Sequence, residues 1–111
     1  MKVHFPNEET KKKHTPVIEA PSKVKKGEAF EVKVIVGKEV PHPQTNAHYI
    51  KWVSLWADEV ELARADFDPN LALPTVTFVV KLEKTAKLTA LSYCNLHGMW
   101  HSEEVEVTVE E

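Results

Sequence analysis

The chain has 111 residues, a formal net charge of −3 at pH 7 and 42% hydrophobic residues. This length suits one domain, residues 1–111, whose core can be stable without disulfide bonds. Because Cys94 is the only cysteine, an intrachain disulfide and a four-cysteine zinc or iron–sulfur site are both excluded. We see no signal peptide or membrane-spanning segment, and the single cysteine suits a reducing compartment, so we expect a cytoplasmic protein.

Charge is distributed unevenly along the chain. Residues 1–38 contain nine lysines and five glutamates, whereas residues 39–111 contain five basic and twelve acidic residues. The overall acidity argues against general nucleic-acid binding. The basic N-terminal part is consistent with a local positive region that attracts a small anion or an acidic partner.

Hydrophobic alternation with a period of two predicts strands along most of the chain. "TPVIEAP" lies between prolines and is typical of an edge strand. "ADEVELARA" has helical propensity, but its β-rich surroundings favour one arm of a hairpin. The seven expected strands span residues 15–21, 30–36, 48–57, 60–67, 75–82, 87–93 and 103–111. We therefore predict an all-β fold, an immunoglobulin-like seven-stranded β-sandwich or barrel.

The chain has six histidines, and four of them lie beside Pro, Gly or Asn, in expected loops or at strand ends. A histidine retained for packing is more often found within a strand. The other two, His4 and His101, are interpreted as ordinary surface residues. The four loop histidines are His14, His42, His48 and His97.

Three segments together indicate a metal site. "CNLH" places Cys94 and His97 three residues apart, and "HPQTNAH" places His42 and His48 six residues apart. With His14 these residues offer four imidazoles and one thiolate, which leaves one open position on an octahedral metal. This donor set suits a redox iron better than magnesium or calcium.

Other classes of site remain possible at this level. A structural zinc usually takes four ligands with more sulfur. A blue-copper site would use Cys94, His97 and Met99, which would make the protein a non-catalytic electron carrier, either cupredoxin-like or an iron carrier. However, Met99 follows His97 by only two residues, and two loop histidines would be unused. A cysteine nucleophile with a histidine base lacks an obvious third group that would orient the base.

The sequence resembles the superoxide reductases, and specifically their single-domain, neelaredoxin-type members. The resemblance is carried by "KHTPVIEAP", "VGKEVPHPQTNAHYIKW", "KLTALSYCNLHGMW" and the closing "VEVTVEE". With the strands between them, these segments span nearly the whole chain from Lys13. The combination K-H-x-P, H-P-x4-H and C-N-x-H-G-x-W is highly specific.

The resemblance implies a mononuclear non-haem iron, one per chain, and an immunoglobulin-like fold. It implies one-electron reduction of superoxide to hydrogen peroxide, a rubredoxin-like electron donor and a homotetramer. Backbone N–H groups around Asn95 to His97 are expected to hydrogen-bond the cysteine sulfur and raise the reduction potential. The implied ligands are His14, His42, His48 and His97 in the equatorial plane and Cys94 in the axial position.

One departure from the family pattern lies just before His14. The family usually has Glu-Lys-His, in which the glutamate binds oxidised iron and the lysine attracts superoxide. Here Lys13 matches the lysine, but Lys12 stands at the glutamate position. Either Glu8 or Glu9 supplies the carboxylate instead, or the sixth position is empty or holds water, hydroxide or another anion.

Overall fold

A computed structural model describes residues 8–111, with the side chains of Glu8 and Glu9 excepted. Within this part the chain forms one short helix and nine strands. These are α1 (Glu8–His14), β1 (Pro16–Glu19), β2 (Lys23–Lys25), β3 (Phe30–Val36), β4 (Ile50–Ala57), β5 (Val60–Asp66), β6 (Thr75–Val80), β7 (Ala86–Cys94), β8 (Gly98–His101) and β9 (Val105–Glu110).

The strands form two sheets. The smaller sheet has the order β1-β3-β6 and is antiparallel. The larger has the order β2-β9-β7-β4-β5, and β8 pairs with the end of β7 beyond β9. The predicted all-β fold is confirmed, and the segment predicted as a hairpin arm is β5, antiparallel to β4. Among residues 8–111, no helix is long and apolar enough to cross a membrane.

The core lies between the two sheets and follows from the alternation of side chains along each strand. Val32 and Val34 of β3 face it from the smaller sheet, and Leu88 and Ala90 of β7 face it from the larger. All four are fully buried. Burying a valine or leucine side chain contributes about 1.5–3 kcal/mol, so this alternation defines which face of each strand points inward.

Three elements of the structure were not predicted as such. Strands β2 and β8 have only three and four residues, and their pairing depends on β9 and β7 rather than on a local pattern. Helix α1 covers a segment that we interpreted as a polar tail and loop. Its sequence, EETKKKH, begins with acidic residues and ends with basic ones, which stabilises a helix through its dipole.

Candidate metal centre

The five residues predicted as ligands come from three separate parts of the fold. His42 and His48 lie in the loop between β3 and β4, and His97 lies in the turn between β7 and β8, as predicted. Cys94 is the last residue of β7. His14 is the last residue of α1 rather than part of a loop. The structure brings all five side chains together.

The four imidazole rings form a closed circle in the order His14, His42, His48, His97. The centroids of neighbouring rings lie 4.5–4.9 Å apart, and neighbouring planes are tilted by 71–82°. Across the circle, the rings of His14 and His48 lie 6.1 Å apart. Each imidazole is therefore close to perpendicular to its two neighbours in the circle.

The thiol of Cys94 lies against this circle. Its Sγ atom is 3.5 Å from Nε2 of His42 and 3.8 Å from Nδ1 of His97. Ligand atoms of His14, His48, Cys94 and His97 all lie within 4.8 Å of one another. Cys94 is fully buried, whereas His97 is exposed, so the cluster has one side in the core and one at the surface.

Hydrogen bonds fix which ring nitrogens face the centre. A carbonyl can only accept, so Nδ1 of His14 donates to the Thr10 carbonyl at 2.8 Å and Nδ1 of His42 donates to the Pro43 carbonyl at 2.6 Å. In the neutral rings, the Nε2 atoms then carry the lone pairs. Nε2 of His48 is buried without a hydrogen-bond partner. Such an atom costs free energy unless something binds it, and a metal ion would do so.

Burial favours the neutral form of three of the cluster histidines. The pKa of His42 is lowered from 6.5 to about 4, mainly by burial and also by neighbouring imidazolium charge, whereas the bond to Pro43 opposes the shift. Burial also lowers the pKa of His14 and of His48, helped by the charge of His97. Because metals bind the neutral ring, these shifts favour binding at neutral pH.

The β3–β4 loop is held in place by backbone contacts that the sequence did not reveal. Gly37 has a φ of +81°, and a Cβ atom there would lie 2.6 Å from the backbone nitrogen of His42, so only glycine fits. Thr45 and His48 exchange backbone hydrogen bonds, which closes a tight turn beneath the His48 ring.

Asn95 ties this loop to the β7–β8 turn. Its side chain accepts from the Tyr49 backbone N–H at 2.8 Å and donates to the Ala47 carbonyl at 3.0 Å. Its own backbone N–H donates to the Tyr49 carbonyl at 3.1 Å. The Asn95 N–H is therefore not available to the Cys94 sulfur, while the expectation for the N–H groups of residues 96 and 97 stays a prediction. Asn95 joins the two segments that carry most of the cluster.

Two lysines of α1, Lys12 and Lys13, interact with different parts of the site region. The positive charge of Lys13 contributes to lowering the pKa of both His14 and His48, which places it near these rings. Lys12 forms an ion pair with Glu39 of the β3–β4 loop, with 3.3 Å between Nζ and Oε2. The carboxylates of Glu8 and Glu9 lie outside the described side chains, so their predicted role stays a hypothesis.

The copper alternative requires Met99, which lies on the wrong face of its strand. Met99 pairs with Tyr93, and Cys94 faces the opposite side of β7. Met99 is 60% exposed. His101, predicted to be a surface residue, is exposed, whereas His4 lies outside the described residues. The side chains that do meet, four imidazoles and one thiolate, suit iron.

Comparison with known proteins identifies the family. A family model described as desulfoferrodoxin matches residues 6–103. The superoxide reductase of Thermococcus kodakarensis is 44% identical, over 88% of each chain. That of Pyrococcus furiosus is 42% identical, over 88% of this chain and 89% of its own. The structure of superoxide reductase (neelaredoxin) from Ignicoccus hospitalis superposes with a TM-score of 0.81 and 48% identity, covering 87% of this chain and 81% of that one.

The chain therefore belongs to the desulfoferrodoxin family.

Proposed function

We propose that this protein is a superoxide reductase, which adds one electron and two protons to superoxide and releases hydrogen peroxide. The observation that supports this proposal best is the circle of four imidazoles closed from the core side by the buried Cys94 thiol. The relatives named superoxide reductase match most of the chain at 42–44% identity, which supports the same activity here.

The cofactor we propose is a single mononuclear iron bound by His14, His42, His48, His97 and Cys94. When bound, it would supply the electron for superoxide by cycling between the ferrous and ferric states. The protein's part is to keep the imidazoles of His14, His42 and His48 neutral through burial, so that their lone pairs are available at neutral pH. The core around Cys94 shields its sulfur from water, since this residue is fully buried.

Lys13 is the residue we propose to act on the substrate. Superoxide is an anion, and positive charge beside an open site raises its local concentration and its encounter rate. A small contribution of the Lys13 charge to the lowered pKa of His14 and of His48 supports this role.

The remaining parts of the proposal rest on the family resemblance. We propose a rubredoxin-like protein as electron donor, a homotetramer as the assembled form, and one domain spanning residues 1–111. We further propose that the protein acts in the cytoplasm, where Cys94, a free buried thiol, would remain reduced.

Metal analysis by mass spectrometry tests the cofactor. The protein as purified should contain about one iron per chain, as expected for a single site formed from five ligands. Single replacement of each cluster histidine by Ala should lower iron retention, whereas His101→Ala and His4→Ala should not. Native copper in place of iron, or equal iron loss from the two control variants, would contradict the proposed site.

A further inference from the structure

His14 reaches the cluster by a different route from the other four residues. It ends a helix of only seven residues, whereas the others lie on the β3–β4 loop or on the hairpin formed by β7 and β8. So short a helix has little stability of its own. Its last residue therefore depends on contacts with the sheet for a fixed position.

Ser92 of β7 holds the backbone of His14. Its hydroxyl donates to the His14 carbonyl at 2.9 Å, across 78 positions of sequence. Ser92 is fully buried, and it lies on the core-facing side of a strand whose neighbouring inward residues, Ala90 and Cys94, are also buried. Packing alone would favour an apolar side chain at this position. A buried hydroxyl there costs free energy of folding unless it makes its hydrogen bond.

Trp100 of β8 holds the ring of His14. The indole stacks on the imidazole with 4.8 Å between centroids and 17° between planes. Its Nε1–H also donates to the backbone carbonyl of His97 at 3.2 Å. The Trp100 side chain thus contacts two neighbouring members of the imidazole circle, namely the ring of His14 and the backbone of His97.

The two contacts come from one position of the hairpin. Ser92 and Trp100 are direct partners in the β7–β8 ladder, and they lie two residues from the pair Cys94–Gly98 at its end. Both side chains therefore point to the same face of the hairpin. The hairpin that carries Cys94 and His97 thus also holds the carbonyl and the ring of His14.

We propose that Ser92 and Trp100 are positioning residues that set His14 relative to His97 and so determine how tightly the site binds its metal. This inference rests on the proposed metal centre and adds two residues that act on it through His14. Groups that orient a ligand typically change metal affinity by about 10- to 100-fold when removed. A Ser92–Trp100 pair that acts this way should show effects of that size.

The test measures binding of cobalt(II) to the metal-free protein in competition with a chelator. Ser92→Ala and Trp100→Leu should each weaken binding by about 10- to 100-fold. Trp100→Phe should lose less, because phenylalanine keeps a ring for stacking but lacks the N–H donor. The matched controls are Ser54→Ala and Trp56→Phe, since Trp56 Nε1 donates to the Ser54 hydroxyl at 2.9 Å on β4, apart from the cluster. The controls should bind cobalt as the parent does.

A His14→Ala background separates positioning from general loosening. If Ser92 and Trp100 act through His14, Ser92→Ala should cause little further loss of affinity in that background, and Trp100→Leu should cause only the smaller loss that follows from removing its bond to the His97 carbonyl. In NMR spectra of the metal-free proteins, the imidazole nitrogen signals of His14 should differ between the parent and each of the two variants. Those of His101 should be the same in all three. Equal loss of affinity with and without His14, or equal loss in the two controls, would overturn the inference. None of these measurements uses superoxide. If the variants bind cobalt as expected but the parent does not reduce superoxide, only the proposed function is refuted.

Discussion

Nε2 of His14 lies 3.1 Å from Nδ1 of His97, although 83 positions separate the two residues in the chain. Because Nδ1–H of His14 donates to the Thr10 carbonyl, the Nε2 atom that faces His97 presents a lone pair. Two nitrogen donors at right angles on one ion, each at about 2.1 Å as in zinc sites, would be about 3 Å apart. The observed spacing matches the one expected for two neighbouring ligands of one metal.

Replacing Cys94 by Ser should abolish the visible charge-transfer band of the oxidised protein and strongly reduce turnover. The band needs a thiolate bound to ferric iron, and a hydroxyl is a poor substitute for a soft sulfur ligand. The thiol lies 3.5 Å from His42 Nε2, on the core side of the cluster. Absorption spectra, normalised to measured iron content, check this. If the variant kept the parent band, Cys94 would not be a ligand.

Acid should destabilise the metal-free protein through its buried histidines. Burial lowers the pKa of His42 from 6.5 to about 4, so between these values the unfolded chain binds the proton and the folded chain does not. The free energy of unfolding should therefore fall as pH falls through this window, by up to about 1.4 kcal/mol per pH unit for this residue. The pKa values of His14 and His48 are lowered too and act in the same direction.

Denaturant unfolding of the metal-free protein at several pH values measures this effect. His42→Ala should flatten the dependence between pH 6.5 and about 4, because the group that binds the extra proton on unfolding is gone. His101→Ala, which removes an exposed histidine, serves as the control and should follow the parent. If the free energy of unfolding depended on pH in the same way for the parent and for His42→Ala, His42 would have the same pKa in the folded and unfolded states.

Lys13→Ala should lower the second-order rate constant for superoxide and weaken its dependence on ionic strength. The lysine charge acts on His14 and His48, and attraction of an anion by such a charge is screened by salt. The loss should be partial because Lys11 and Lys12 remain on the same helix. Lys33→Ala, on β3 of the smaller sheet, is a control of equal charge change. Equal rates for the parent and Lys13→Ala at low salt would refute a steering role.

The ferric protein should bind external anions such as azide or cyanide readily. The family's glutamate position holds Lys12, whose ammonium has no lone pair for a metal and is paired with Glu39 at 3.3 Å. Lys12→Glu should restore a competing carboxylate and weaken azide binding, measured by titration of the visible spectrum. The control Glu39→Gln breaks the same ion pair without adding a carboxylate. If the parent did not bind azide in this titration, another carboxylate would occupy the open position.

The sequence predicted seven of the nine strands of residues 8–111 and the five side chains that meet in the cluster, for separable reasons. Alternation in β3 and β7 reports which residues face the core, and histidines beside Pro or Gly stand out because packing does not require them. The contacts that hold the donors could not be read in this way. Ser92, Asn95 and Trp100 act on residues far along the chain, and their partners are defined only once the strands are paired.

The yield of hydrogen peroxide per superoxide consumed tests the central claim most directly. The iron-loaded protein, reduced beforehand and exposed to a limiting amount of superoxide, should form one hydrogen peroxide for each superoxide and release no oxygen, since the protein supplies the electron. Both products can be measured in the same sample, with the Cys94→Ser variant as control. Half as much peroxide together with oxygen would indicate dismutation, and superoxide that decayed no faster than in buffer would contradict the proposed activity altogether.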